Sequence, residues 1–286
     1  MADRVAADVI ARYSTSFTLA TRLLSPPVRR DVCNLYAVVR IADEIVDGAA
    51  AAAGEDGTGI RAHLDAYEDA VLAAAEPAAP GATAFHTDPV LHAFAGTARR
   101  CRLDTAHLRA FFASMRADLD PGVHDGASLA AYIHGSAEVI GLMCLDIFGT
   151  HGTVTADRAW LAEGAASLGS AFQKVNFLRD IGADTTVLRR HYLPTTADGT
   201  LTESAKTALL DECVAELDAG CERIPALPRG ARVGVAAASA LYRGLVDRLR
   251  ETPAADLTGP DAVRVSVPAP RKALVTVRAA MKAILR

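Results

Sequence analysis

Apolar residues recur at the spacing of an α-helix through almost the whole chain, and no other feature limits the fold as strongly. Nine segments have this period and are predicted helices: residues 32–47, 60–75, 89–100, 105–119, 129–148, 156–181, 202–221, 232–250 and 271–285. Strand-like alternation is scarce, and its best run, residues 263–267, has no second run to pair with. The sequence therefore predicts an all-α protein.

The chain is expected to form one domain spanning residues 1–286, because the breaks between helices are too short to be linkers and no repeat of fixed period is present. Hydrophobic residues make up 51% of it, which excludes a disordered chain and is enough for a large core. The net charge of -4 offers no basic excess for nucleic acid, so no nucleic-acid partner is predicted. The sequence pattern does not set the oligomeric state.

The cysteines and the apolar segments indicate the compartment. Five cysteines without a CxxC pair indicate a reduced, cytoplasmic protein, and no signal peptide is visible at the N-terminus. The most apolar stretch, residues 130–148, contains His134, Glu138 and Asp146, which argues against a transmembrane span. Peripheral contact with the inner face of the membrane is compatible with this pattern.

Aspartates spaced four residues apart occur three times, often enough by chance that only their context is informative. Asp65 and Asp69 belong to an ordinary amphipathic helix and are predicted to lie on its solvated face. The other two pairs, Asp43/Asp47 and Asp180/Asp184, each lie in a narrow polar stripe on a helix that is otherwise apolar. The first stripe is Tyr36, Arg40, Asp43 and Asp47; the second is Gln173, Asn176, Asp180 and Asp184.

Two such stripes facing each other would form an apolar cavity with four carboxylates at its mouth. Burying a carboxylate costs several kcal/mol unless a cation or donor compensates it. Mg²⁺ suits this mouth, since it prefers oxygen ligands and is often held by carboxylates together with substrate phosphate. Two internal salt-bridge networks, Arg40 with Asp43 and Arg179 with Asp180, are an equally good explanation of the spacing alone.

Five segments together resemble a known family. They are residues 14–24 (STSFTLATRLL), 35–47 (LYAVVRIADEIVD), 132–143 (YIHGSAEVIGLM), 176–184 (NFLRDIGAD) followed by Tyr192-Leu193-Pro194, and the C-terminal positions Tyr242, Arg264 and Lys272. In order and distance this set resembles the squalene/phytoene synthase family, and its central segment is most similar to bacterial phytoene synthases. The resemblance runs from about Ser14 to Lys272.

This resemblance implies a single-domain isoprenoid synthase fold with helices around a central apolar cavity. It implies a prenyltransferase that joins two allylic diphosphates head to head, most closely two geranylgeranyl diphosphates to phytoene through cyclopropyl prephytoene diphosphate. Squalene, dehydrosqualene or presqualene diphosphate synthesis from farnesyl diphosphate is the alternative reaction. An inactive helical protein that binds prenyl lipids is the alternative outside enzymes.

The resemblance also implies roles for individual residues. Mg²⁺ or Mn²⁺ would be bound by Asp43, Asp47, Asn176, Asp180 and Asp184. The substrate diphosphate would be bound by Ser14, Ser16, Phe17, Arg40, Arg179 and Arg264. Catalytic groups would be Tyr36, Arg40, Tyr132, Gln173, Arg179 and Tyr242, with Phe17, Tyr36, Tyr132 and Gln173 lining the reaction chamber. No NADPH is expected. The chain departs from the family pattern at Ala183, where a glutamate is usual, and at Glu138 on the central helix.

The C-terminal segment, residues 271–286, has apolar residues at helical spacing, five basic residues and no acid. Such a helix binds anionic lipid surfaces through its apolar face and its charges together. It can also pack on the core with its basic side in water, and the pattern slightly favours this arrangement.

Overall fold

A computed structural model describes residues 1–13, 15–76, 85–120, 124, 126–154, 156–186, 190–193, 201–258 and 261–284, with only the backbone of residues 15, 16 and 186. The α-helices are α1 Ala2–Tyr13, α2 Thr15–Thr21, α3 Pro26–Glu44, α4 Ala50–Ala52, α5 Gly57–Ala75, α6 Pro89–Cys101, α7 Thr105–Ala117, α8 Gly126–Ile133, α9 Val139–Thr150, α10 Arg158–Thr186, α11 Glu203–Cys221, α12 Arg229–Glu251, α13 Ala254–Leu257 and α14 Ala269–Ile284. Two π-helical turns, Ile45–Ala49 and His134–Glu138, continue α3 and α8, and a 3₁₀ turn spans Ile224–Ala226. The all-α prediction is confirmed.

The predicted helices are all present, and their ends are the main differences. Helix α3 begins six residues earlier than predicted, with Pro26 and Pro27 in its first turn, where proline costs no hydrogen bond. Helices α1 and α2 were not predicted. Residues 263–267 are extended without strand pairing; Val265 and Val267 are buried while Val263 is exposed. This segment, called the strap below, connects α13 to α14 and packs Val265 and Val267 into the core.

Aspartates begin several of the helices. Asp56, Asp88 and Asp104 are the N-caps of α5, α6 and α7, and each accepts hydrogen bonds from backbone N–H groups of the first turn. Such caps satisfy amides that have no partner within the helix. These three aspartates therefore serve helix termini rather than the candidate site.

Residues Gly126–Thr150 form the central helix, which includes α8, the π turn His134–Glu138 and α9. By length and composition alone it could cross a membrane. In the structure it packs against α3, α6, α7 and α10. Glycines permit backbone contact there: a Cβ on Gly141 would lie 2.4 Å from the Ala165 carbonyl oxygen, and one on Gly169 would lie 2.6 Å from that of Ala137. This close packing fixes α10 beside the central helix.

Candidate active site

A cavity of about 310 Å³ lies between α2, α3, α9, α10 and α12. The α10 residues that line the cavity recur at helical spacing: Leu161, Gly164, Ala165, Leu168, Gly169, Phe172, Gln173 and Asn176. Leu161 and Asn176 are fifteen residues apart, so at 1.5 Å per residue the wall is about 22 Å long. The cavity is therefore long and narrow.

The two ends of the cavity differ in chemistry. At one end Asn176 accepts a hydrogen bond from the Tyr242 hydroxyl (3.3 Å), and Tyr36 and Gln173 also line the wall. At the other end the Arg223 side chain covers Gly164, where a Cβ would lie 2.1 Å from Arg223 Cδ. The wall between is mostly aliphatic and aromatic. The polar end is the one from which the aspartate stripes continue.

The first stripe lies at the end of α3. Arg40 donates to Asp43 and Glu44, and its guanidinium lies 4.3 Å from the Tyr13 ring centroid. Asp47 follows in the π turn, which ends the regular helix because Gly48 has φ 144°. A π turn adds one residue to the helical turn and often occurs at functional sites. Gly48 follows Asp47, so Asp47 keeps the helical register of α3 and the chain changes direction just after it.

The second stripe lies at the C-terminal end of α10. Arg179 Nε lies 3.1 Å from both carboxylate oxygens of Asp180. Arg264, on the strap before α14, donates to the same carboxylate at 2.7 Å. Asp184 lies one turn further on α10, and Asp47 is among the charges that raise its pKa. The two stripes therefore face each other at the cavity mouth.

A residue that sequence analysis missed links the first stripe to a buried cluster. Arg190 Nη1 donates to Asp47 at 2.7 Å, and its Nε lies 3.8 Å from Asp118 Oδ1. Asp118 is buried and accepts hydrogen bonds from the hydroxyls of Tyr132 (2.8 Å) and Tyr192 (2.5 Å). Tyr192 belongs to a motif segment, but nothing in the local sequence marked Asp118 or Arg190.

The structure brings most of the predicted chamber residues together. Phe17, Tyr36, Gln173, Asn176 and Tyr242 all lie in the cavity wall. Phe172, which was not predicted, stacks on Tyr242 with ring centroids 3.9 Å apart. Tyr132 is not in the described wall; it packs instead in the Asp118 cluster against Phe177 and Tyr192. Ser14 lies outside the described residues, and only the backbone of Ser16 is described.

Burial dominates the electrostatics of the mouth. It raises the pKa of Asp43 to about 7, with Asp47 adding to the effect and Arg40 opposing it. Burial likewise raises the pKa of Asp184 to about 7, with help from Asp180. Burial by itself also raises the pKa of Asp180. Hydrogen bonds from Arg179 and Arg264 outweigh burial and hold this pKa below its ordinary value. The arginines present thus compensate Asp180 but leave Asp43 and Asp184 short of positive charge.

This balance bears on the two explanations of the stripes. Both internal salt bridges, Arg40–Asp43 and Arg179–Asp180, are present. The raised pKa values of Asp43 and Asp184 show that these pairs do not neutralise the mouth. Among the described residues, no three of the site's aspartates bring oxygens within 4.8 Å of one another. The residues therefore fit divalent cations held by carboxylate pairs, with ligand oxygens completing the shell.

The two departures from the family pattern lie outside the cavity. Glu138 is not in the described wall, and its carboxylate pairs with His134 Nδ1 at 2.9 Å on the outer side of the central helix. Ala183 is exposed on α10, between Asp180 and Asp184. Neither departure changes the cavity wall or the aspartate pairs.

A second cluster of possible metal ligands lies at the N-terminal half of α3, away from the cavity mouth. Asp31, Cys101 and His151 bring possible ligand atoms within 4.8 Å of one another. Asp31 is fully buried, and its carboxylate already pairs with Arg30 (3.1 Å), Arg100 and His151 (2.6 Å). Arg30 and Arg100 compensate the carboxylate, so the cluster ties α3 to α6 as a structural ion pair. None of the five cysteines forms a disulfide.

Known proteins share this architecture. The sequence profile of the family "Squalene/phytoene synthase" matches residues 10–271. A phytoene synthase from Mycobacterium tuberculosis is 28% identical over 272 residues, covering 88% of this chain and 82% of the relative. One from Pseudescherichia vulneris is 32% identical over 195 residues, covering 66% and 58%. A solved dehydrosqualene synthase in complex with ligand superposes with a TM-score of 0.75 at 21% identity, covering 100% of this chain and 97% of that one. The solved squalene synthase HpnC from Alicyclobacillus acidocaldarius superposes with a TM-score of 0.71 at 21% identity. The match covers 87% of this chain and 93% of that one.

The all-α fold around an apolar cavity, with facing aspartate pairs at its mouth, defines a prenyltransferase of the head-to-head condensing class. Enzymes of this class use a divalent metal, which agrees with the donor set at the mouth. The chain belongs to the squalene/phytoene synthase family.

Proposed function

We propose that this protein condenses two molecules of geranylgeranyl diphosphate to phytoene, through prephytoene diphosphate. The length of the cavity carries the choice of substrate. A prenyl tail advances about 5 Å per five-carbon unit when bonds of about 1.5 Å zigzag along it. Four units then need about 20 Å and three about 15 Å, against an α10 wall of about 22 Å. The similarity to relatives named phytoene synthase supports the same choice.

The diphosphate end of the substrate would bind at the mouth. Arg40, Arg179 and Arg264 present guanidinium groups there, and their planar forks match phosphate oxygens. The proposed cation is Mg²⁺, with Mn²⁺ as a substitute, held by Asp43, Asp47, Asp180 and Asp184 with Asn176 nearby. When bound, it neutralises the diphosphate and favours cleavage of the allylic carbon–oxygen bond. Ser14 and Ser16 are proposed further diphosphate contacts.

The cavity wall would hold the prenyl tails and protect the allylic cation. Its aliphatic surface excludes water, which would otherwise trap the cation as an alcohol. Phe17, Tyr36, Phe172 and Tyr242 surround the polar end, where the cation forms, and aromatic faces stabilise positive charge. Burial raises the pKa of Tyr36 to about 12, so its phenol stays neutral beside the cation.

The proposed reaction balances without a reductant. Cleavage of one C1–O bond releases diphosphate, the double bond of the second substrate attacks the resulting cation, and loss of a proton closes the cyclopropane. A second C1–O cleavage releases the other diphosphate, and rearrangement with loss of a second proton gives the central double bond. A hydride donor would replace that second proton loss and give the reduced product, as in squalene synthesis. NADPH is therefore not required.

The test is incubation of the full chain with Mg²⁺ and either farnesyl or geranylgeranyl diphosphate, with and without NADPH, followed by hydrocarbon extraction. The proposal expects a C40 product from the C20 substrate, with no dependence on NADPH. A C30 product alone would overturn the substrate choice and indicate squalene, dehydrosqualene or presqualene diphosphate synthesis. Diphosphate that binds in calorimetry without being consumed would indicate an inactive prenyl-lipid binder. We further propose a cytoplasmic location.

A further inference from the structure

Helix α14 is amphipathic, but its apolar face points away from the protein. It packs on α12, and the residues on its covered side are mostly small: Val275, Thr276, Ala279, Ala280 and Ala283. Its large apolar side chains are exposed: Leu274 50%, Val277 54%, Met281 53% and Ile284 71%. Helices of this kind normally turn their large apolar residues to the core. Helix α14 therefore packs on the protein, but not through its apolar face, which stays uncovered.

The four exposed residues form one continuous strip. Spacings of three and four residues place Leu274, Val277, Met281 and Ile284 on one side of the helix over about three turns. Contiguous apolar patches on an exposed surface mark interaction sites, whereas single exposed apolar residues do not. The strip is therefore a binding surface that needs a partner.

Charge indicates which partner fits. Helix α14 has no acidic residue, and Arg271, Arg278 and Lys282 are exposed along it. Arg278 and Lys282 directly follow Val277 and Met281, so they border the apolar strip on one side. Arg271 lies 3.7 Å from Asp247 of α12. An apolar strip bordered by cations is the pattern that binds anionic membrane surfaces.

We propose that α14 docks the protein reversibly on a membrane containing anionic lipids, with the strip Leu274/Val277/Met281/Ile284 entering the interface and Arg278 and Lys282 contacting lipid phosphates. A second copy of this chain fits less well. A two-fold contact through the strip would bring the same border residues of both copies together, and these are cations. The inference stands on the exposed face and does not depend on the proposed function.

Co-sedimentation of the full chain with vesicles tests the proposal. The protein is expected to bind phosphatidylglycerol/phosphatidylcholine vesicles and to bind pure phosphatidylcholine much more weakly. Replacing two border cations, Arg278→Gln with Lys282→Gln, should weaken binding about 25-fold, since each charge near an anionic surface contributes about fivefold. Val277→Ser with Met281→Ser should weaken binding at least about tenfold through lost apolar burial. All four side chains are exposed, so circular dichroism and prenyltransferase activity in detergent should not change.

Matched controls distinguish binding through this surface from non-specific binding to vesicles. Arg4→Gln with Arg109→Gln removes two exposed cations elsewhere, and Phe85→Ser removes an exposed aromatic ring; both variants should bind like the parent. Equal losses in the controls and in the α14 variants would overturn the proposal. So would equal binding to neutral and anionic vesicles. Sedimentation equilibrium showing a dimer that Val277→Ser with Met281→Ser converts to monomer, without vesicle binding, would assign the strip to self-association instead.

Discussion

Replacing Asp118 with alanine should destabilise the protein strongly, because this buried carboxylate joins three separate parts of the chain. It accepts hydrogen bonds from Tyr132 and Tyr192 and lies 3.8 Å from Arg190 Nε. Its side chain is 5% exposed and that of Arg190 is 9% exposed. Water therefore cannot replace the lost interactions without opening the core.

The expected loss is about 3–5 kcal/mol, the usual cost of removing one partner of a buried ion pair. Two features of the site place the expected loss toward the lower end of this range. The Tyr132 and Tyr192 hydroxyls lie 3.2 Å apart and can bond to each other. Arg190 also keeps its bond to Asp47 at 2.7 Å. The measurement is urea unfolding followed by helical circular dichroism, with the free energy obtained by linear extrapolation.

Asp120→Ala is the matched control for this experiment. Asp120 is only two residues away and also forms an ion pair, to Arg61 at 2.7 Å, but its side chain is 76% exposed. A surface pair of this kind contributes at most about 1 kcal/mol. If Asp118→Ala lost no more stability than Asp120→Ala, the reasoning that Asp118 is a buried carboxylate joining three parts of the chain would be refuted.

Three further predictions concern the mouth and the cavity. Asp43→Ala should lower pyrophosphate release by orders of magnitude with unchanged helical circular dichroism. Asp65→Ala, whose half-exposed carboxylate pairs with Arg116 outside the mouth, should leave it nearly unchanged. Normal release by Asp43→Ala would contradict the proposed metal site. Because the pKa values of Asp43 and Asp184 are about 7 in the fold and lower in the unfolded chain, the metal-free protein should lose stability as pH rises through 7. Calorimetry with EDTA should show this fall in melting temperature, and Mg²⁺ should restore more stability at pH 8 than at pH 6. Ala165→Leu, about 16 Å along the wall from Asn176, should shift substrate use from C20 to C15 diphosphate, measured as initial rates. Ala159→Leu, exposed on the same helix, should not.

The sequence by itself determined which residues share a face. Helical periodicity is a local property, so the all-α class, the helices of the core and the two aspartate stripes could be predicted from spacing. The resemblance then gave those stripes an expected chemistry, and the match of residues 10–271 to the family confirmed that membership.

Only the tertiary structure decided what lies opposite each face. The Asp118 cluster joins residues far apart in the chain, such as Asp118 with Tyr192 and Arg190 with Asp47, and no local pattern records such contacts. The tertiary structure also places Tyr132 in that cluster rather than in the described cavity wall. Helix α14 shows the same limit most clearly. Its period groups Leu274, Val277 and Met281 on one side, but packing on α12 is made by small residues on the other. Periodicity defines a helix face, and only the neighbouring helices determine whether that face is covered.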